Sequence, residues 1–270
     1  MNNKGEKRHQ NIHLGGTARS PDDVRAIHAM GLDFAEIPII DPEAFLEKVE
    51  DYKRLKKELG LYYLCHGPRE GDPNDMQGLE GEYLPRILRV LPLMSRLKMS
   101  VLTIHLWLDR RFVNEDVITL KLGLLKRIID RAGEYNIVVC LENLSEKATD
   151  LREAFQLIPA LRLTLDLGHA QLLTENNRSY EFLEHFPEKI KHIHLHDNRG
   201  GSSYRDDLHL PPGEGIIDFA AIFEKILESR YKSTITLELR PPIIEACLGY
   251  VRGLLGLKGR AGIKNPEGHG

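Results

Sequence analysis

Cysteine is scarce in this chain: there are three in 270 residues, Cys65, Cys140 and Cys247, far apart, odd in number and without a CxxC pair. That excludes a disulfide-stapled secreted scaffold and predicts a reducing cytoplasmic setting. Long apolar runs are also missing. No stretch approaches the ~18 apolar residues of a membrane span, and the opening MNNKGEKRHQ lacks the apolar core of a signal peptide. Nor is there an excess of charge: 37 basic against 40 acidic residues leave a net charge of -3. No global basic field draws in nucleic acid or an anionic membrane, so any polyanion has to be met locally. No Pro/Gly/Ser linker divides the chain, and no internal repeat appears. What is present is 41% hydrophobic and 29% charged residues, ample for the core of an ordinary globular protein.

Short Leu-rich or β-branched runs alternate with longer amphipathic ones from near residue 10 to near residue 256, a parallel α/β pattern. The strands predicted are Asn11–Leu14, Asp33–Pro38, Leu61–His66, Val101–Leu106, Ile137–Glu142, Leu161–Asp166, Ile190–His196 and Thr234–Leu239. Val117, Leu120, Leu124 and Ile128 mark a helix over Glu115–Tyr135, and Ser20-Pro21 and Asp41-Pro42 read as helix starts. Eight strand-plus-helix units without a linker favour a single (β/α)₈ TIM barrel over residues 1–256; a six-stranded open sheet with extra helices is the alternative. Residues 1–9 and 257–270 show no packing pattern and read as flexible ends.

Functional side chains of such a barrel sit at the C-terminal ends of its strands. Six successive predicted strands end in metal-competent residues: His66, His105, Glu142, Asp166, His194 and Glu238. Each lies on the opposite parity from an apolar neighbour, so all six point toward the barrel axis. His192 and His196 share the parity of His194 and either could replace it as ligand; His194 is preferred because the apolar run gives way to polar residues there. The segment RDDLHLPPGEG adds Asp207 and His209, with Gly213 and Gly215 permitting a tight turn. Glu142, Asp166, Asp207 and Glu238 held together would repel one another, and divalent cations are the simplest neutraliser. His9, His28, His185 and His269 read as surface residues, and His13 has no companion acid in its strand. Cys140 reads as core and Cys65 as helix-facing, so thiol catalysis is not expected. Trp107 reads mainly as packing, with a place in the pocket wall as the other option.

These residues resemble the xylose isomerase-like barrel superfamily, which takes in endonuclease IV-type abasic-site nucleases and sugar (phosphate) isomerases and epimerases. The resemblance runs from the third strand to the eighth. It is sharpest at Asp166-Leu167-Gly168-His169, at His194-Leu195-His196-Asp197, and at Asp207-Leu208-His209 with Gly213-Glu214-Gly215. It implies one metal on His66, His105 and Glu142, a second on Glu142, Asp166, His194 and Glu238, and a third on His169, Asp207 and His209. It implies Glu142, Glu238 and His169 as catalytic residues.

With all nine positions filled, the resemblance tilts the sequence reading toward a phosphoester hydrolase with two or three Zn²⁺ and abasic-site DNA as the family substrate. The alternative is a sugar isomerase or epimerase with one Mn²⁺ or Mg²⁺ on Glu142, Asp166, His194 and Glu238. A barrel that binds without turnover is a third reading. Three divalent ions against four carboxylates leave roughly +2 for a phosphate, whereas one ion against three leaves roughly -1, which suits a neutral polyol. Two features weigh against DNA: the loop Gly67–Pro73 has no aromatic wedge, and Ile39–Glu43 is acidic. Positive charge near the mouth reduces to residues such as Arg69, Arg110, Arg111, Arg199 and Arg205.

Overall fold

Residues 12–257 are described by a computed structural model. The expected flexible ends, with His9 and His269, lie outside the described residues, apart from Leu257. The eight strands are β1 (His13–Thr17), β2 (Phe34–Pro38), β3 (Tyr62–His66), β4 (Val101–Ile104), β5 (Val138–Glu142), β6 (Arg162–Asp166), β7 (Ile190–Leu195) and β8 (Thr234–Leu237). They pair in parallel in chain order and close β8 onto β1, giving one TIM barrel. The chief helices around it are α1 (Pro21–Ala29), α2 (Pro42–Leu46), α3 (Val49–Leu59), α4 (Leu84–Leu97), α5 (Glu115–Gly133), α6 (Ala148–Leu157), α7 (Ser179–His185), α8 (Phe219–Glu228) and α9 (Pro241–Leu254). No helix among the described residues is long and apolar enough to cross a membrane.

The caps follow the sequence. Ser20 accepts from the backbone N–H of Asp23 while the Asp23 carboxylate accepts from that of Ser20, a capping box ahead of the proline that opens α1. Asp41 caps α2 in the same way through the N–H of Ala44. The helix predicted to run to Tyr135 stops at Gly133, and the chain turns at Asn136 in the left-handed region, φ 56°.

β1 departs most from expectation, running from His13 to Thr17 where the sequence placed its end at Leu14; Asn11 lies outside the described residues. Gly15 and Gly16, beyond the predicted end of the strand, belong inside it, where larger residues would not fit. A side chain at Gly15 would collide with the Phe34 ring, and one at Gly16 with Ile244 of α9. Phe34, stacked on Tyr62 at 5.3 Å, thereby fills the barrel floor with Leu64, Val101 and Cys140. On the outward parity, residues such as Ile37, Cys65, Leu141, Leu165, Ile193 and Ile235 bury against the helices. Full burial of each Ile or Leu contributes roughly 1.5–3 kcal/mol.

Above that floor the interior turns polar. Glu36, Thr103, Thr164, His192 and Thr236 are all buried, and the Thr103 and Thr164 hydroxyls meet at 2.8 Å. The next inward position on β3 to β8 is the sequence-predicted strand-end set, carried above this buried layer.

Candidate metal centre

Glu142, at the end of β5, is the hub. Its side chain is fully buried, with Oε2 2.9 Å from His105 Nε2 and 3.2 Å from His66 Nε2. Its Oε1 lies 3.1 Å from His194 Nδ1 and 3.3 Å from His169 Nδ1. Burial opposes ionisation of this carboxyl, but the imidazoles of His194 and His105 outweigh it and hold the pKa well below the usual range. Asp166 ends β6 and accepts from the backbone N–H of His169 at 2.6 Å; His196 Nε2 lies 3.1 Å away and His194 Nδ1 3.7 Å. Glu238 follows β8 and brings Oε2 to 3.7 Å from His194 Nδ1 and 3.6 Å from His209 Nδ1.

A second cluster adjoins the first. Asp207 Oδ2 sits 3.1 Å from His209 Nε2 and 3.3 Å from His169 Nε2, and the His209 ring stacks on that of His196 at 3.9 Å. The segment that delivers Asp207 and His209 is fixed by Asp197, whose carboxylate accepts from the backbone N–H groups of Asn198, Gly213, Gly215 and Ile217. A side chain at Gly215 would strike that carboxylate, which explains the glycine in the GEG turn. His209 itself has φ 45°, a left-handed backbone that a non-glycine residue adopts only where its surroundings enforce it.

All nine sequence-predicted residues therefore meet in space. The three histidines of the β7 run face different partners. His194 Nδ1 faces Glu142, Asp166 and Glu238; His196 faces Asp166 and the second cluster; His192 lies below, against Glu36 and the threonines of β8. Sequence reasoning missed Glu36 and the part played by His196. Glu36 is buried in the middle of β2, 3.1 Å from Nε2 of both His192 and His194. Its signal was a lone acid on the inward parity of an apolar strand, but it lies one layer below the strand ends.

The donors fit a divalent cation. Glu142, Asp166, His194 and Glu238 place one ligand atom each within 4.8 Å of one another, as do His169, His196, Asp207 and His209, and His66, His105 and Glu142. Buried atoms His169 Nδ1, His196 Nδ1 and Glu238 Oε2 have no hydrogen-bond partner. Mixed carboxylate and imidazole sets of this kind suit Mn²⁺, Zn²⁺ and their neighbours.

Without metal, Asp207 and His209 hold each other as an ion pair, and a pH dependence follows. Burial works against a charge on His209, but the hydrogen bond to Asp207 and the nearby Glu238 raise its pKa from 6.5 to about 9. A folded-state value above the ordinary one stabilises the fold fully below pH 6.5 and is lost as the pH climbs through 9. Thermal unfolding of metal-free protein is expected to show a Tm that falls between pH 6.5 and pH 10; a flat or rising Tm over that window would refute the charged pair.

Beside the cluster opens a cavity of about 570 Å³. His105, His169 and Asp207 form its polar end, and Trp107, Phe112 and Leu144 are among its apolar walls. Trp107 thus belongs to the pocket: its indole N–H donates to Ser145 Oγ at 2.8 Å and its ring stacks on Phe112 at 5.0 Å. The wall is pinned by buried charge, with Lys121 Nζ 2.8 Å from Glu70 and Asp109 gripping Arg111. Of the arginines considered for phosphate, Arg110 is committed to Glu115 and Glu153 and Arg111 to Asp109, whereas Arg69 lines the cavity.

The profile of the xylose isomerase-like TIM barrel family matches residues 24–253. The chain belongs to that family. Two uncharacterised proteins of Methanocaldococcus jannaschii match in part, one 33% identical over 123 residues (42% of this chain, 41% of the relative), the other 32% identical over 91 residues (32% and 33%). These matches span less than half the length of the relatives. Among solved structures, a D-tagatose 3-epimerase-like protein superposes with TM-score 0.74 at 20% identity, covering 90% of this chain and 97% of the other. The 3-keto-D-glucoside 4-epimerase of E. coli gives 0.72 at 19% identity, covering 90% and 99%. A xylose isomerase domain protein of Planctomyces limnophilus gives 0.75 at 14%, covering 92% and 97%. At such identities these likenesses speak for the family's fold.

Proposed function

We propose that this protein is a divalent-metal-dependent isomerase or epimerase acting on a small sugar. The observation that carries the proposal is the convergence of Glu142, Asp166, His194 and Glu238, with two glutamates in one four-residue donor set beside an open cavity. The sugar epimerases among the structures of similar fold support it, and they weigh against the hydrolase that the sequence alone put first.

Glu142, Asp166, His194 and Glu238 would hold the ion, and it would supply electron withdrawal from a substrate carbonyl, acidifying the neighbouring C–H. Glu238 Oε2, lacking a hydrogen-bond partner, is free to take that proton. Glu142 is the second proton-transfer group; His66 and His105, donating to its Oε2, stabilise its charge between transfers. Both glutamate side chains are largely withdrawn from water, which strengthens each electrostatic contact. The Trp107 face offers a platform for the apolar side of a sugar ring. Trp107→Ala is expected to raise KM about tenfold with kcat little changed, the equivalent of roughly 1.4 kcal/mol of ring contact. A kcat that falls as far as KM rises would remove Trp107 from substrate binding.

The decisive assay is deuterium uptake from solvent into a panel of ketoses, with Mn²⁺ or Mg²⁺ present and after chelation. Metal-dependent exchange into one of them is expected, and none in any ketose with metal bound would reject the proposal. One observation favours a second reading, a phosphoester hydrolase with two or three Zn²⁺: the cluster of His169, His196, Asp207 and His209 could hold a further ion. Three Zn²⁺ per purified chain, together with nicking of an abasic duplex, would establish that reading instead.

A further inference from the structure

Glu36 is a buried acid that neither the family motifs nor the mechanism above uses. We infer that Glu36 is a positioning residue that fixes how His194 presents itself to the metal: it holds the Nε2–H of His194, so that Nδ1 alone is left to ligate. This rests on the metal-dependent reading of the site.

Glu36 sits in the second strand, across the barrel from His194 and 158 residues away in sequence. Its side chain is 2% exposed and both oxygens lie 3.1–3.2 Å from His194 Nε2. A carboxylate can only accept, so Nε2 must carry the proton. The opposite ring nitrogen, Nδ1, points at Glu142, Asp166 and Glu238. The carboxylate of Glu36 is itself oriented: His192 Nε2 lies 3.1 Å from Oε2, while Thr234 and Thr236 engage His192 at 2.6 and 3.1 Å. A chain of threonine, histidine and glutamate thus sets the ring plane of His194 from below. A carboxylate behind a ligating imidazole fixes the tautomer and raises the basicity of the ligating nitrogen, and losing such a partner weakens metal binding by about 10–100-fold. The competing arrangement, with Glu36, His192 and His194 Nε2 themselves binding an ion, would require His192 Nε2 to give up its contact with Thr236 and His194 to turn Nδ1 away from the ion.

The test is Mn²⁺ binding to the full chain, followed by loss of the free-ion EPR signal, in wild type, Glu36→Gln, His194→Asn and the double variant. Glu36→Gln is expected to weaken the affinity of one site by about 10–100-fold, with the number of ions at saturation unchanged. In the His194→Asn background the same change is expected to shift affinity by less than about twofold, because Glu36 acts through His194 and coupled sites are non-additive. An equal loss in both backgrounds, which a merely structural role would give, overturns the inference. So does unchanged affinity in Glu36→Gln, and so does the loss of a whole equivalent at saturation, which would make Glu36 a ligand. If Glu36→Gln fails to fold, Glu36→Asp keeps the charge but withdraws it by a methylene; a smaller loss is expected there, and wild-type affinity overturns the inference. Wild-type protein that takes up no Mn²⁺ would overturn the metal-dependent reading, and this inference with it.

Discussion

Replacing Glu142 with Gln is expected to reduce catalysed proton exchange by about 10³–10⁴-fold, the scale of losing a positioned acid–base group, even with metal in excess. The substitution keeps the shape and removes one charge. It does so where His66, His105, His169 and His194 converge on the same two oxygens. A carboxamide nitrogen in place of one oxygen turns an acceptor into a donor facing an imidazole, so at least two of the four contacts become unfavourable. Two of those imidazoles, His169 and His194, are held in charged form partly by this group: burial lowers their pKa, and Asp166, Glu36 and Glu142 more than reverse that. Metal uptake is therefore expected to weaken together with turnover. Isotope exchange at saturating Mn²⁺ separates the two effects, and a Glu142→Gln protein within tenfold of wild-type kcat would take Glu142 out of the reaction. The hydrolase reading also needs Glu142, so this experiment tests the site and leaves the substrate to the ketose and abasic-duplex assays.

How much of this was legible in the sequence depends on the layer. The strand-end residues could be read because barrel strands alternate strictly and end in loops: apolar Leu141 before Glu142, or Leu165 before Asp166, gives the parity, and the leucines pack in the apolar core while the acids meet the inward histidines. The second cluster was legible through its motifs, which brought in His169, Asp207 and His209. The interior one residue lower was not. Glu36 appears in FAEIP as a lone acid in an apolar strand, and only closure of the barrel sets it against His192 and His194 from the far side. His196 was ambiguous for a related reason: parity puts His192, His194 and His196 on one side of β7 but cannot say which height meets Glu142. The pocket wall was hidden more deeply, since the pairings of Lys121 with Glu70 and of Asp109 with Arg111 and Ser145 link loops through contacts that leave no periodic trace. The end of the first strand was misplaced because nothing in the sequence shows that the Phe34 ring and Ile244 occupy the space beside its two glycines.

Gly168→Ala is expected to cost about 3 kcal/mol of stability or more, at the upper end of overpacking by a single methyl group, and to lower metal uptake as well. The backbone at Gly168 is ordinary right-handed helix, φ -74°, so any residue could adopt it and strain is not the reason for glycine. Space is. A methyl group there would be driven into the His196 ring, meeting three of its atoms far inside van der Waals contact. The ring has nowhere to retreat: its other neighbours are the stacked His209, the edge of His169 at 5.5 Å and the Asp166 carboxylate. Moving it pushes on residues of both donor clusters at once, and moving the backbone instead pulls on His169, whose N–H is bound to Asp166. The glycine of the Asp166-Leu167-Gly168-His169 step is thus the space in which a histidine from the next strand stands. Denaturant unfolding of the metal-free variant measures the packing cost, and Mn²⁺ titration measures the damage to the clusters. An alanine variant with wild-type stability and wild-type metal affinity would mean that His196 does not stand against Gly168.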